Sequence, residues 1–179
     1  MELTKKLDVT PKELFDALEA SILGDIEQAT GKRPGRAKLN GYKYQKKAHE
    51  AQGKAKGTEI KVKIRHFDYP HVYEARFSYS TGTNTMRYEA VPTDDGGCEL
   101  TYTEEFEGQG GNTRGFMGKL GLMVYERKLK SRANATIDGI VKYVKGQRHV
   151  KDNPLLAEDA AETTSGDATE DATDAKSVE

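Results

Sequence analysis

Apolar and polar positions alternate from the start of the chain. Leu3, Leu7 and Val9 fall on one side, with Glu2, Thr4, Lys6 and Asp8 on the other, the period of two that marks a half-buried strand. The period then changes. Thr10 is placed to cap a helix, Pro11 suits its first position, and Glu13 completes a capping box. Leu14, Leu18 and Ile22, flanked by Phe15 and Ile26, line one helical face, and Gly31 offers a stop after about Ala29. Residues 32–40, polar and basic with Pro34 and Gly35, predict a loop or one short helical turn.

Residues 41–107 repeat strand and turn. Tyr42 and Tyr44 alternate with Lys43 and Gln45, and Ile60, Val62 and Ile64 alternate with Lys61, Lys63 and Arg65. Tyr73, Ala75, Phe77 and Tyr79 form a third run, Met86, Tyr88 and Ala90 a fourth, and Cys98, Leu100, Tyr102 and Phe106 a fifth. The breaks carry turn chemistry: Gln52-Gly53, Asp68-Tyr69-Pro70, Thr81-Gly82 and Asp94-Asp95-Gly96-Gly97. Connections this short make sequential antiparallel neighbours with one apolar and one polar face.

After a glycine-rich loop (Gly108, Gly110, Gly111, Gly115), Leu120, Val124, Leu129, Ala133, Ile137, Ile140, Val141 and Val144 recur at helical spacing. Gly118 and Gly121 near the start of this helix permit close approach of another backbone. The sheet must cover its apolar face, and this helix is the only element long enough to lie across it. The expected fold class is α+β, of order β-α-β(about 5)-α: a curved antiparallel sheet wrapped around a long C-terminal helix.

Charge divides the chain in two. It has 28 Lys+Arg and 29 Asp+Glu, for a formal charge of −1. Residues 152–179 hold nine acidic residues and one lysine, a net −8, which leaves +7 on residues 1–151. That acidic stretch is almost purely Ala, Asp, Glu, Thr and Ser and has too little apolar surface to offset its ordering entropy. The expected division is a folded domain over 1–150 and an acidic disordered tail over 151–179. One cysteine excludes a disulfide framework and suits a reducing, cytoplasmic setting. No apolar run approaches the ~20 residues of a membrane span, and no signal peptide opens the chain.

The stretches Leu39-Asn-Gly-Tyr-Lys-Tyr-Gln-Lys-Lys47, Gly82-Thr-Asn-Thr-Met-Arg-Tyr-Glu89 and Thr101-Tyr-Thr-Glu-Glu-Phe106 resemble an uncharacterised bacterial domain-of-unknown-function family of the START/Bet v 1-like (SRPBCC, helix-grip) superfamily. The resemblance covers about residues 1–146. It implies a helix-grip fold with a cavity between sheet and long helix, of the kind that often binds an apolar or aromatic small molecule. Superfamily members include lipid carriers, hormone receptors, polyketide cyclases and co-chaperones. The narrower family has no established activity, so the resemblance transfers no catalytic residue.

Strand parity supplies the cavity candidates. Tyr44, His66, Tyr73, Tyr88 and Tyr102 are expected to face the helix, with Glu104 between Tyr102 and Phe106. Six of the nine tyrosines share this face, and there is no tryptophan. Tyrosine brings an apolar body and a hydroxyl that needs a partner when buried, which suits a largely apolar ligand with a few polar groups. His66 and the tyrosine hydroxyls are the partners parity offers Glu104. The four histidines show no metal-ligand spacing, Cys98 reads as a core residue, and no Ser elbow, P-loop or dinucleotide fingerprint is present. No cofactor and no metal are expected.

The leading expectation is a cytoplasmic protein that binds a small apolar or aromatic molecule without chemistry of its own. One alternative is a cyclase- or hydrolase-like cavity enzyme with Glu104 as general acid/base, assisted by His66 or a tyrosine. Another is an anion- or nucleic-acid-binding module modulated by the acidic tail, since residues 32–65 hold twelve Lys/Arg and two acids. A nucleic-acid partner is disfavoured, because the lysines at 43, 47, 61 and 63 alternate as any solvated sheet face would. Open sheet edges allow a homodimer.

Overall fold

The computed structural model describes residues 1–47, 59–108 and 116–152, with side chains described throughout except at 116–126 and 149–152. The Gln52-Gly53 turn, the glycines at 110, 111 and 115, the side chains of Leu120 and Val124, and the acidic residues from 153 onward lie outside these. Strand β1 spans Glu2–Leu7, helix α1 Pro11–Thr30, and a short 3-10 turn Arg36–Lys38. Strands β2 (Lys43–Lys47), β3 (Glu59–Asp68), β4 (Val72–Tyr79), β5 (Gly82–Pro92) and β6 (Cys98–Gly108) come next, and helix α2 runs over Phe116–Asp152. Residues Met1–Val144 form one compact unit, and the helix residues from Lys145 onward belong to a second. The whole sheet lies in the first unit.

The fold is α+β. The strands make one antiparallel curved sheet of order β1-β6-β5-β4-β3-β2, so β1 and β2 are its edges. Helix α1 starts where the capping box places it. The Thr10 backbone N–H donates to Glu13 Oε2 at 2.9 Å, and the Glu13 N–H donates to Thr10 Oγ1 at 3.2 Å. It stops at Gly31, whose φ of +68° lies in the left-handed region that glycine adopts without strain. Leu14, Phe15, Leu18, Ile22 and Ile26 are buried on one face of α1. From α2, Ala133, Ile137 and Val144 enter the same core, with Ile140 and Val141 partly buried beside them.

Alternation is interrupted once within β3, between Ile64 and His66. Ile60, Val62 and Ile64 face inward, but the register shift puts both Arg65 and His66 on the exposed side and turns Phe67 into the core. A β-bulge does this by placing two residues opposite one. Ile64 still pairs with the chain before β2, its N–H donating to Tyr42 O at 2.9 Å. Beyond the bulge a side chain replaces the strand: Asn40 Nδ2 donates to Phe67 O at 2.9 Å, and the Phe67 N–H donates to Asn40 Oδ1 at 2.6 Å. The expectation that His66 faces the helix is therefore corrected. Strict parity carried it one residue too far.

The bulge also completes an aromatic row. Phe67, Tyr73, Tyr88 and Tyr102 are direct cross-strand partners through β3, β4, β5 and β6. Their ring centroids are 6.0, 6.0 and 4.8 Å apart in turn, and Phe15 of α1 meets Phe67 at 6.3 Å. Such pairs add about 0.5–1.5 kcal/mol each beyond their buried area.

Candidate functional site

Between the inner sheet face and α2 lies a cavity of about 620 Å³, open to solvent on one side. Its aromatic wall is Phe77, Tyr79, Tyr88, Tyr102 and Phe106, with Ile60 and Met86 beside them. Leu129, Arg132, Ala133 and Thr136 complete it from α2, where spacings of three and four residues put them on one face.

Glu104 is the polar centre. It is 5% exposed, and three donors converge on it. Asn84 Nδ2 donates to Oε1 at 2.7 Å, Arg132 donates to the same oxygen at 3.1 Å, and the Tyr102 hydroxyl donates to Oε2 at 3.0 Å. Tyr102 and Glu104 meet because residues two apart share a strand face. Asn84 reaches Glu104 diagonally: the direct partner of Glu104 on β5 is Met86, and that of Asn84 on β6 is Phe106. Arg132 comes from outside, its side chain 69% exposed.

The other candidates are distributed differently. Tyr88 and Tyr102 are in the cavity wall with Glu104. Tyr73 is buried one strand further along the aromatic row, stacked on Tyr88. Tyr44 donates its hydroxyl to Asp25 of α1, which Lys46 also contacts at 2.8 Å, so it ties β2 to α1. His66 is on the opposite sheet face. Phe106 lines the cavity yet is 49% exposed, at the rim.

Burial sets the titration of this wall. It raises the phenol of Tyr88 to about 12 and pushes Tyr44, Tyr73, Tyr79 and Tyr102 above the ordinary tyrosine value. All five phenols keep their protons at neutral pH, and those of Tyr44 and Tyr102 are already donated to Asp25 and Glu104. Burial likewise raises Cys98 to about 11, in keeping with a core thiol.

Five polar residues of the lining escaped sequence reasoning: Lys46, Thr81, Asn84, Arg132 and Thr136. Asn84 shares the inward parity of Met86 and Tyr88, but a polar residue does not register in an apolar pattern. Arg132 flanks Ala133 at the border of the helical stripe. Among the described residues no group of three or more His, Cys, Asp and Glu is arranged to hold a metal ion, and no helix is long and apolar enough to cross a membrane.

The six-stranded antiparallel sheet curved around a C-terminal helix is a fold this chain shares with several solved structures. Ara h 8.0201 is 16% identical with a TM-score of 0.56, over 82% of this chain and 97% of that one. A START superfamily protein from Mycobacterium smegmatis is 12% identical with a TM-score of 0.51, over 80% and 97%. The Zhui aromatase/cyclase from Streptomyces sp. R1128 is 13% identical with a TM-score of 0.50, over 81% and 92%. At such identities the likeness is one of fold. No curated protein matches the chain. Residues 1–126 match the family described as "Domain of unknown function (DUF3284)", and the chain belongs to that family.

Proposed function

We propose that this protein binds a small molecule with an aromatic or apolar body in the cavity between sheet and α2, and performs no chemistry on it. The observation that carries this reading is the wall itself: five aromatic side chains around about 620 Å³, with a polar cluster at Glu104 and the side chains of Lys46, Thr81 and Thr136 elsewhere on the lining. That volume falls within the range of small-molecule sites, and a few placed polar groups in an apolar lining are what orient such a ligand.

The runner-up, acid–base chemistry at Glu104, draws on the 3.0 Å contact with the Tyr102 hydroxyl. It is the weaker reading. Three donors already occupy the carboxylate, so a substrate proton must compete with them, and His66 is exposed and not part of the cavity lining. A panel of polycyclic aromatic compounds, screened by thermal shift and confirmed by calorimetry, tests the proposal. Binding should be lost in Ala133→Phe, which fills the cavity from α2 while leaving the sheet intact. If no compound binds, or if Ala133→Phe binds as well as the unaltered protein, the cavity is not the site. Consumption of a bound compound that stops in Glu104→Gln would favour the enzyme.

A further inference from the structure

Asn84 has a constrained amide. Its Nδ2 is 2.7 Å from Glu104 Oε1. Turning the amide over would set Oδ1 against a carboxylate oxygen, two acceptors face to face, so the hydrogen-bond network fixes the orientation. The consequence is that Oδ1 is buried and has no hydrogen-bond partner among the described residues. A buried acceptor without a protein donor is costly, and it calls for a donor from a water, an ion or a ligand.

We infer that the polar end of the cavity takes a hydroxyl of a neutral aromatic ligand, donated to Asn84 Oδ1. This rests on the cavity-binding reading above and names the ligand class for it. Donor character follows from Asn84. Neutrality follows from Glu104 and Arg132, which already balance one another at 3.1 Å, and from Lys46 on the same lining, whose ammonium is held by both Asp25 oxygens at 2.8 Å. An anionic group would enter beside a carboxylate and an amide oxygen. A cationic group would have to displace Arg132 from Glu104 or sit next to it. A hydroxyl satisfies Oδ1 and leaves the ion pair undisturbed. The aromatic body follows from Tyr88, Tyr102 and Phe106, whose faces and edges suit a planar ring system.

The test is a ligand series on the full chain: 2-naphthol, 2-methoxynaphthalene, 2-naphthoate and 2-naphthylmethylammonium, measured by ligand-observed NMR and calorimetry at neutral pH. The naphthol should bind about tenfold or more tighter than the methyl ether, which has the same rings but no donor. The anion and the cation should bind more weakly than the naphthol. In Asn84→Leu the advantage over the methyl ether should disappear. Equal binding of all four overturns the inference and leaves the cavity reading standing, as does tightest binding of the anion or the cation. Binding of none overturns both. The series on unaltered protein decides without any variant, so a poorly folded Asn84→Leu does not leave the matter open.

Discussion

Asn84 and Glu104 are joined at 2.7 Å along a diagonal of the β5–β6 ladder, and the same carboxylate oxygen accepts from Arg132 of α2. One buried acceptor thus links two strands and the helix that covers them. The three donors differ in how much they depend on it. Asn84 and Tyr102 belong to the sheet, whereas the Arg132 side chain has water as an alternative partner.

Replacing the carboxylate should therefore cost more than removing the arginine. Glu104→Gln presents at most one carbonyl oxygen to donors that now use two oxygens, and it sets an amide N–H₂ against one of them. The expected loss is about 1–3 kcal/mol, the cost of leaving a buried polar group unsatisfied. Arg132→Gln should cost less, because the exposed guanidinium exchanges its contact for water while Asn84 and Tyr102 stay on the carboxylate. Urea unfolding of both variants checks the order, and the reverse order would show that the ion pair, not the sheet cluster, holds the cavity together.

Tyrosine burial predicts alkaline instability. Tyr44, Tyr73, Tyr88 and Tyr102 all have phenols raised by burial, Tyr88 to about 12. In the unfolded chain they titrate near 10. Between those values the folded state holds protons that the unfolded state has released, so stability is fully present below about pH 10 and falls as pH rises beyond it. Absorbance at 295 nm followed against pH should show these phenols ionising together with unfolding. Smooth titration of these four phenols near pH 10, with the fold intact, would contradict this.

At the β3 bulge two neighbouring residues should behave in opposite ways. Phe67→Ala removes a buried ring that meets both Phe15 and Tyr73 and should cost about 3–5 kcal/mol. His66→Ala, on the exposed side, should stay within about 0.5 kcal/mol and leave ligand binding unchanged. A thermal melt of each variant checks the pair; a large loss at His66 would mean that the bulge depends on its side chain.

The bulge also shows where sequence reasoning stops. Alternation located the β3 strand and three of its inward residues, because a sheet with one covered face imposes that period. The interval from Ile64 to Phe67 is three rather than two, a break visible in the sequence but indistinguishable there from a strand ending. What resolves it is Asn40, which pairs with the Phe67 backbone from 27 residues away. Glu104 was legible because its inward parity survives to the end of β6. Asn84 and Arg132 were not, since their roles arise from a diagonal contact and from the side of the helix that meets the rim. The order of elements depends on local periodicity, and the polar cluster on tertiary geometry.

The outer sheet face should be electrostatically strained. Lys43 lies directly opposite Lys63, and Lys63 directly opposite Arg76, so three cations stand in one cross-strand row over β2, β3 and β4. Glu107 meets Arg76 at 3.5 Å from one end, but the two lysines face each other as the alternation of the strands dictates. Like charges directly opposite destabilise a ladder, and opposite charges stabilise it by roughly 0.2–1 kcal/mol. Lys63→Glu would place one carboxylate between two cations and should raise stability by an amount in that range, whereas Lys63→Gln should give about half of it by relieving repulsion alone. Added salt discriminates the cause. Screening should stabilise the unaltered protein, in which the row is repulsive, and weaken the advantage of Lys63→Glu, in which it is attractive. A gain that is independent of ionic strength would instead point to strand propensity at position 63.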